Sequence, residues 1–91
     1  MKFKFTIFTP SFNRAYTLRR VFNSINNQKF NKKDFEWIIV DDGSDDNTDV
    51  LVEKFIENAN FSIKYYKQEN KGKHTCHNSA IKKSQGELCL I

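Results

Sequence analysis

Four consecutive apolar residues, Trp37-Ile38-Ile39-Val40, run directly into the polar turn Asp41-Asp42-Gly43-Ser44. A strand that alternates apolar and polar residues can leave one face to water, but an uninterrupted run needs cover on both. Strand two is therefore predicted over Phe35–Val40, inside a mostly parallel sheet with helices on its faces.

The flanking segments supply those helices. Phe3–Thr9 alternates Phe3, Phe5 and Ile7 and reads as strand one, with Pro10 removing a backbone donor and stopping it. Leu18, Val21, Phe22 and Ile25 fall on one face of a helix that Asn13 or Thr17 would cap. A second helix carries Val50, Leu51, Phe55 and Ile56 on its inner side, capped by Ser44, Asp45 or Asp46. Phe61–Lys67 is strand three, His74–Ser84 a third helix stopped by Gly86, and Leu88–Ile91 opens a fourth, buried strand. The predicted class is α/β, Rossmann-like, in the order β-α-β-α-β-α-β, and right-handed crossovers place helices on both faces. Ending within an unfinished apolar strand reads as a domain cut short.

Composition narrows the functional classes. With 38% apolar residues, nine of them phenylalanine, the chain is globular rather than disordered. No apolar run approaches the roughly 18 residues that span a bilayer. Met1–Thr9 does not read as a signal peptide, because Lys2 and Lys4 interrupt it. A cytoplasmic location is expected, with the inner face of the membrane as a variant of it. Cys76 and Cys89 form neither a metal-like pair nor a disulfide framework, and read as reduced thiols. The net charge of +4, with Lys29, Lys32 and Lys33 in one loop, favours anionic partners or is a solvated surface. No nucleic-acid-binding signature accompanies it.

In open parallel sheets, ligands bind beyond the carboxyl ends of the strands. Three segments land there: Thr9–Arg14, Asp41–Asp46 and Gln68–Lys73. Asp41 and Asp42 could accept from a base N–H or from ribose hydroxyls, whereas Asp45 and Asp46 read equally as helix caps. The first loop, Thr9-Pro10-Ser11-Phe12-Asn13-Arg14, has no glycine, which disfavours the pyrophosphate cradle of NAD and FAD enzymes. Lys71 or Lys73 could neutralise a diphosphate, although each also reads as a solvated turn residue. His74, Cys76 and His77 converge too poorly on a helix to make a metal site.

Taken together, Thr9-Pro10-Ser11-Phe12-Asn13-Arg14, Val40-Asp41-Asp42-Gly43-Ser44, Asn70-Lys71-Gly72, Asn78-Ser79-Ala80 and Ser84-Gln85-Gly86-Glu87 resemble the inverting family 2 glycosyltransferases of GT-A fold. His77 stands where many relatives carry arginine. The resemblance implies that residues 1–91 are the nucleotide-sugar-binding front part of a GT-A domain, a half-domain with a donor most often UDP-linked. By the same carry-over, Thr9, Pro10, Asn13 and Arg14 border the nucleotide. Asp42 faces the base, Asp41 holds the turn or approaches the ribose, and Gly72 and Lys73 border the nucleotide from the third loop. Mg²⁺ or Mn²⁺ is implied for the full-length protein, held by a D-x-D motif beyond Ile91, and the general base is also expected further on. No metal or cofactor is expected for residues 1–91 alone.

The implied acceptor is a glycan, a lipid-linked glycan or a protein, and self-association through unpaired strand edges is expected. Two other readings compete: a non-catalytic nucleotide-binding or regulatory α/β module, and a flavodoxin-like or response-regulator-like domain. Against the second, the paired acids follow strand two, and no later strand carries a lysine in the required place.

Overall fold

The apolar run becomes β2 (Phe35–Asp41), and all seven of its residues are buried. In the computed structural model, which describes residues 3–28, 31–69, 78, 82–83 and 87–90, it lies inside a four-stranded sheet. Its partners are β1 (Phe5–Ser11) and β3 (Ser62–Lys67), and β4 (Glu87–Leu90) lies on the far side of β1. The order is β3-β2-β1-β4, and every pairing is parallel. The chain thus steps outward from β1 to β3 and returns to place β4 beside β1. That reversal is the topological switch point at which such sheets bind ligands.

Two helices cross between the strands, α1 (Ala15–Asn26) and α2 (Thr48–Asn58). Both bury their apolar stripes on the face carrying Ile7, Phe35, Trp37 and Ile39. Leu18 and Ile25 enter from α1, and Val52 and Phe55 from α2. Phe22 stacks on Phe55 with ring centroids 4.4 Å apart, and the Trp37 ring lies 6.4 Å from Phe22. On the opposite face Phe8, Ile38 and Val40 are buried, with Tyr66 against them. The helix expected over His74–Ser84 lies largely outside the described residues; Asn78, Lys82 and Lys83 within it are helical. The Lys83 ammonium sits 4.3 Å from the centre of the Tyr66 ring.

Four details depart from the sequence reading. Strand one does not stop at Pro10 but runs through it to Ser11. The Phe5 N–H bonds toward Asp34 and the Ser11 carbonyl accepts from Asp42, so odd-numbered residues of β1 bond toward β2. Pro10 is even-numbered and turns its missing donor toward β4, whose pairing with β1 ends at Phe8 and Leu90. The ladder to β2 therefore loses nothing.

The inner stripe of α2 is also rotated from the one expected. Thr48, Val52 and Phe55 are buried, while Val50 and Ile56 are 49% and 47% exposed. Positions 48, 52, 55 and 59 fall on one helical face, and Val50 and Ile56 do not share it. Neither Asn13 nor Thr17 caps α1: its N-cap is Arg14, with no side-chain capping bond. Finally, Lys32 is not merely a solvated cation. Its ammonium donates to the last carbonyls of α1, Ile25 at 3.1 Å and Asn26 at 3.3 Å, and lies 5.4 Å from the Phe61 ring.

Near the amino end of β2, the Glu36 carboxylate is fully buried. Glu36 accepts from the Thr6 hydroxyl at 2.7 Å and pairs with Lys64 at 2.8 Å. A buried carboxylate needs such partners to stay ionised. This pair sits near the amino ends of the strands, away from the polar loops at the other edge.

Candidate functional site

At the carboxyl ends of β1, β2 and β3 the polar loops are stitched to one another. The stitching begins with Gly43, whose φ of 86° turns the chain sharply after the two aspartates. This turn lets Ser44 fold back onto Asp41. The Ser44 N–H donates to one Asp41 carboxylate oxygen at 3.2 Å, and the Ser44 hydroxyl donates to the same oxygen. Tyr65 of β3 donates its phenol to the other oxygen at 2.6 Å. Asp41 is fully buried. Its carboxylate thus ties Ser44 and Tyr65 together beneath the turn. Burial and then the bond to Asp41 push the ionisation of the Tyr65 phenol well above the ordinary tyrosine range.

Ser44 also joins the first loop. Its hydroxyl oxygen accepts from the Asn13 N–H at 2.7 Å, and the Asn13 side-chain oxygen accepts from the Asp45 N–H at 2.9 Å. Asn13 adopts a left-handed backbone (φ 51°), a conformation that asparagine tolerates better than most residues. Ser44 is therefore not the cap of α2. Nor is either of the other two candidates: the N-cap of α2 is Asn47, which makes no side-chain capping bond. Asp46, one residue earlier, instead accepts from the Thr48 N–H at 3.1 Å and from the Thr48 hydroxyl. The second oxygen of Asp46 accepts from the Ala15 N–H at 3.4 Å, so one carboxylate serves the starts of both helices.

These bonds, led by the one from the Thr48 hydroxyl, hold the Asp46 carboxyl below its ordinary value of 3.8. A lowered folded-state value means stability that is present above the unfolded value and lost as pH falls through the folded one. Asp46→Ala is expected to cost about 0.5 kcal/mol, the low end for a side chain bonded at a helix start because the group is exposed. Urea titrations at neutral pH and below about pH 4 check this: the difference between variant and parent should shrink in acid, and a constant difference would contradict the linkage.

The other expected site residues are distributed as follows. Thr9 is buried with its side chain on the core face, where its hydroxyl accepts from the Trp37 indole at 3.0 Å; only its backbone edge is left for a ligand. Pro10 is half-buried beside it, and Arg14 is exposed at the start of α1. Asp42 is 6% exposed, its N–H bonded to the Ser11 carbonyl at 2.8 Å. Gly72 and Lys73 lie outside the described residues. The structure thus brings Thr9, Pro10, Asn13, Arg14, Asp41 and Asp42 to one edge of the sheet.

Two residues that sequence reasoning did not single out complete this edge. Tyr65 holds Asp41, and Gln68 donates its amide to Asp42 at 3.0 Å. The parallel register Asp41↔Lys67 sets Gln68 level with Asp42, a relation available only once strand pairing is known. The Ser11 hydroxyl is buried beneath this edge without a hydrogen-bond partner among the described residues.

Comparison with known proteins agrees with this geometry. The family model described as glycosyl transferase family 2 matches residues 6–91. The poly(ribitol-phosphate) beta-N-acetylglucosaminyltransferase TarS of Staphylococcus aureus is 32% identical over 88 residues, covering 97% of this chain and 15% of that protein. The GalNAc(5)-diNAcBac-PP-undecaprenol beta-1,3-glucosyltransferase of Campylobacter jejuni is 34% identical over 87 residues, 93% of this chain and 27% of that protein. The crystal structure of S. aureus TarS 1-349 in complex with UDP superposes with a TM-score of 0.87 at 31% identity, over 97% of this chain and 26% of that one. The chain thus spans about a quarter or less of the length of these relatives.

Proposed function

The chain belongs to glycosyl transferase family 2, and from that premise we propose that it is the nucleotide-sugar-binding front part of an inverting glycosyltransferase with a UDP-linked donor. The observation that carries this reading is Asp42, an acceptor-only carboxylate at the carboxyl end of a central strand. A carboxylate there suits the N3–H of uracil and offers no donor to the adenine edge. The relatives act in the same direction: S. aureus TarS was crystallised with UDP.

In this reading the backbone edge at Thr9 and Pro10 lies along the nucleoside, with Asn13 and Arg14 bordering it. Asp41 keeps the turn in shape beneath. The chemistry is a displacement in which an acceptor hydroxyl attacks the sugar's anomeric carbon and UDP departs. The proposed acceptor is a hydroxyl of a glycan, a lipid-linked glycan or a protein. The Mg²⁺ or Mn²⁺ implied by the resemblance would stabilise charge on the leaving diphosphate. Among the described residues no three of His, Cys, Asp and Glu come together as its ligands, with Asp41 buried against Ser44 and Tyr65 and Asp46 bonded at two helix starts. The ligands and the general base are assigned to residues outside 1–91. The proposed setting is the cytoplasm, at the inner face of the membrane, where the surplus of basic residues favours anionic headgroups.

The test is a titration of the full-length protein with UDP, ADP and NAD. UDP should bind with clear selectivity, and Asp42→Ala should weaken it by about tenfold or more, the value of a hydrogen bond to a charged group. Equal affinity for UDP and ADP, or an Asp42→Ala variant with unchanged affinity, would remove the basis for the reading.

A further inference from the structure

We propose that Gln68 is a positioning residue that sets the Asp42 carboxylate for base recognition, an inference that rests on the reading of Asp42 given above. The backbone at Asp42 is already fixed, because its N–H is bonded to the Ser11 carbonyl at 2.8 Å. What the backbone does not fix is the rotation of the carboxylate about its side-chain bonds. That rotation decides whether an oxygen meets a base N–H within the narrow range of angles over which such a bond is strong.

Gln68 is built to restrain it. Its own N–H donates to the Asp41 carbonyl at 2.8 Å, extending the β2–β3 ladder one residue past Lys67. From that anchored backbone the side chain reaches across to β2, and its amide nitrogen lies 3.0 Å from Oδ1 of Asp42. Both ends of the contact are therefore held by sheet hydrogen bonds rather than by loop residues. The donor is also neutral. A lysine in its place would add a full positive charge to the contact, whereas an amide orients the carboxylate by a neutral hydrogen bond. Orientation of this kind raises affinity by removing a freedom the ligand would otherwise have to freeze.

The experiment compares UDP with UDP methylated at N3 of uracil, which cannot donate to Asp42. Both are measured on the full-length protein, its Gln68→Met variant and its Gln68→Glu variant. Methionine keeps the length of the side chain without the donor. Glutamate keeps its shape and replaces the amide donor by an acceptor. The parent should prefer UDP by about tenfold or more. In both variants that ratio should fall toward unity, while binding of the methylated nucleotide changes little. A residue with only a structural role would weaken both nucleotides alike and leave the ratio standing.

The two possible failures separate cleanly. If the parent itself does not distinguish the two nucleotides, Asp42 does not read the base and the underlying assignment is lost. If the parent discriminates and both variants discriminate equally well, Asp42 keeps its role and Gln68 does not position it. Should one variant unfold on thermal melting, the other gives the ratio by itself.

Discussion

Trp37→Ala is expected to cost about 4 kcal/mol, the range seen when a fully buried large aromatic side chain is cut to a methyl. Trp37 has no exposed surface, and its ring faces those of Phe22 and Phe55, so the cut would open a hole between β2, α1 and α2. Native proteins are typically stable by only about 5–15 kcal/mol. The variant should therefore be largely unfolded in mild urea where the parent is intact. Trp37 is the chain's one tryptophan, so the unfolding has to be followed by far-ultraviolet circular dichroism rather than by fluorescence. A loss below about 1 kcal/mol would mean that the indole is not in the core. Trp37→Phe refines the test. It restores most of the volume but leaves the Thr9 hydroxyl without the indole donor, and should cost about 1–2 kcal/mol.

The second large effect belongs to Asp41. Asp41→Ala removes the acceptor for two buried groups of Ser44 and for the phenol of Tyr65, and is expected to cost roughly 3 kcal/mol. Tyr65→Phe, which removes one donor and leaves the carboxylate its bonds from Ser44, should cost about 1 kcal/mol. The double variant should lose less than the sum of the two, because both remove the same contact. Urea titrations of the four proteins read this directly, and strict additivity would show that the phenol and the carboxylate do not interact. UDP binding offers a second readout. Asp42 follows Asp41 in the chain, and Ser44 links the turn to Asn13, so losing Asp41 should loosen the whole edge. The affinity loss in Asp41→Ala should then match or exceed that in Asp42→Ala, although Asp41 itself is buried.

The two aspartates show why adjacent acids, equally conspicuous in the sequence, take different roles. Strand alternation turns Asp41 onto the core face, toward Tyr65 and Ser44, and leaves Asp42 beyond the last strand residue. Ser44 illustrates the same division. Its spacing before a helical stretch reads as a cap, yet the positive φ at Gly43 folds it back onto Asp41, the N-cap falls to Asn47, and Asp46 bonds the first residue of α2.

The sequence by itself determined the class of fold and the strand ends at which the candidate loops gather. An apolar run without polar interruption can be satisfied only by cover on both faces, and periodic stripes at 3.6 residues identify the helix α1 that provides part of it. Motif order was enough to indicate the family, because the loops that end each strand carry the recognisable residues. Tertiary structure alone decided the partners across the sheet. Pro10 is harmless only because β1 turns its even-numbered groups toward β4, a matter of pairing rather than of local preference. Gln68 and Tyr65 reach Asp42 and Asp41 across more than twenty residues of sequence. Val50 and Ile56 face water because the docking of α2 against Trp37 selects one of several apolar stripes its sequence offers. Local sequence limits the conformations each segment can adopt, while contacts between segments distant in sequence exist only once the sheet has set their register, and the finer chemistry of this site is made of such contacts.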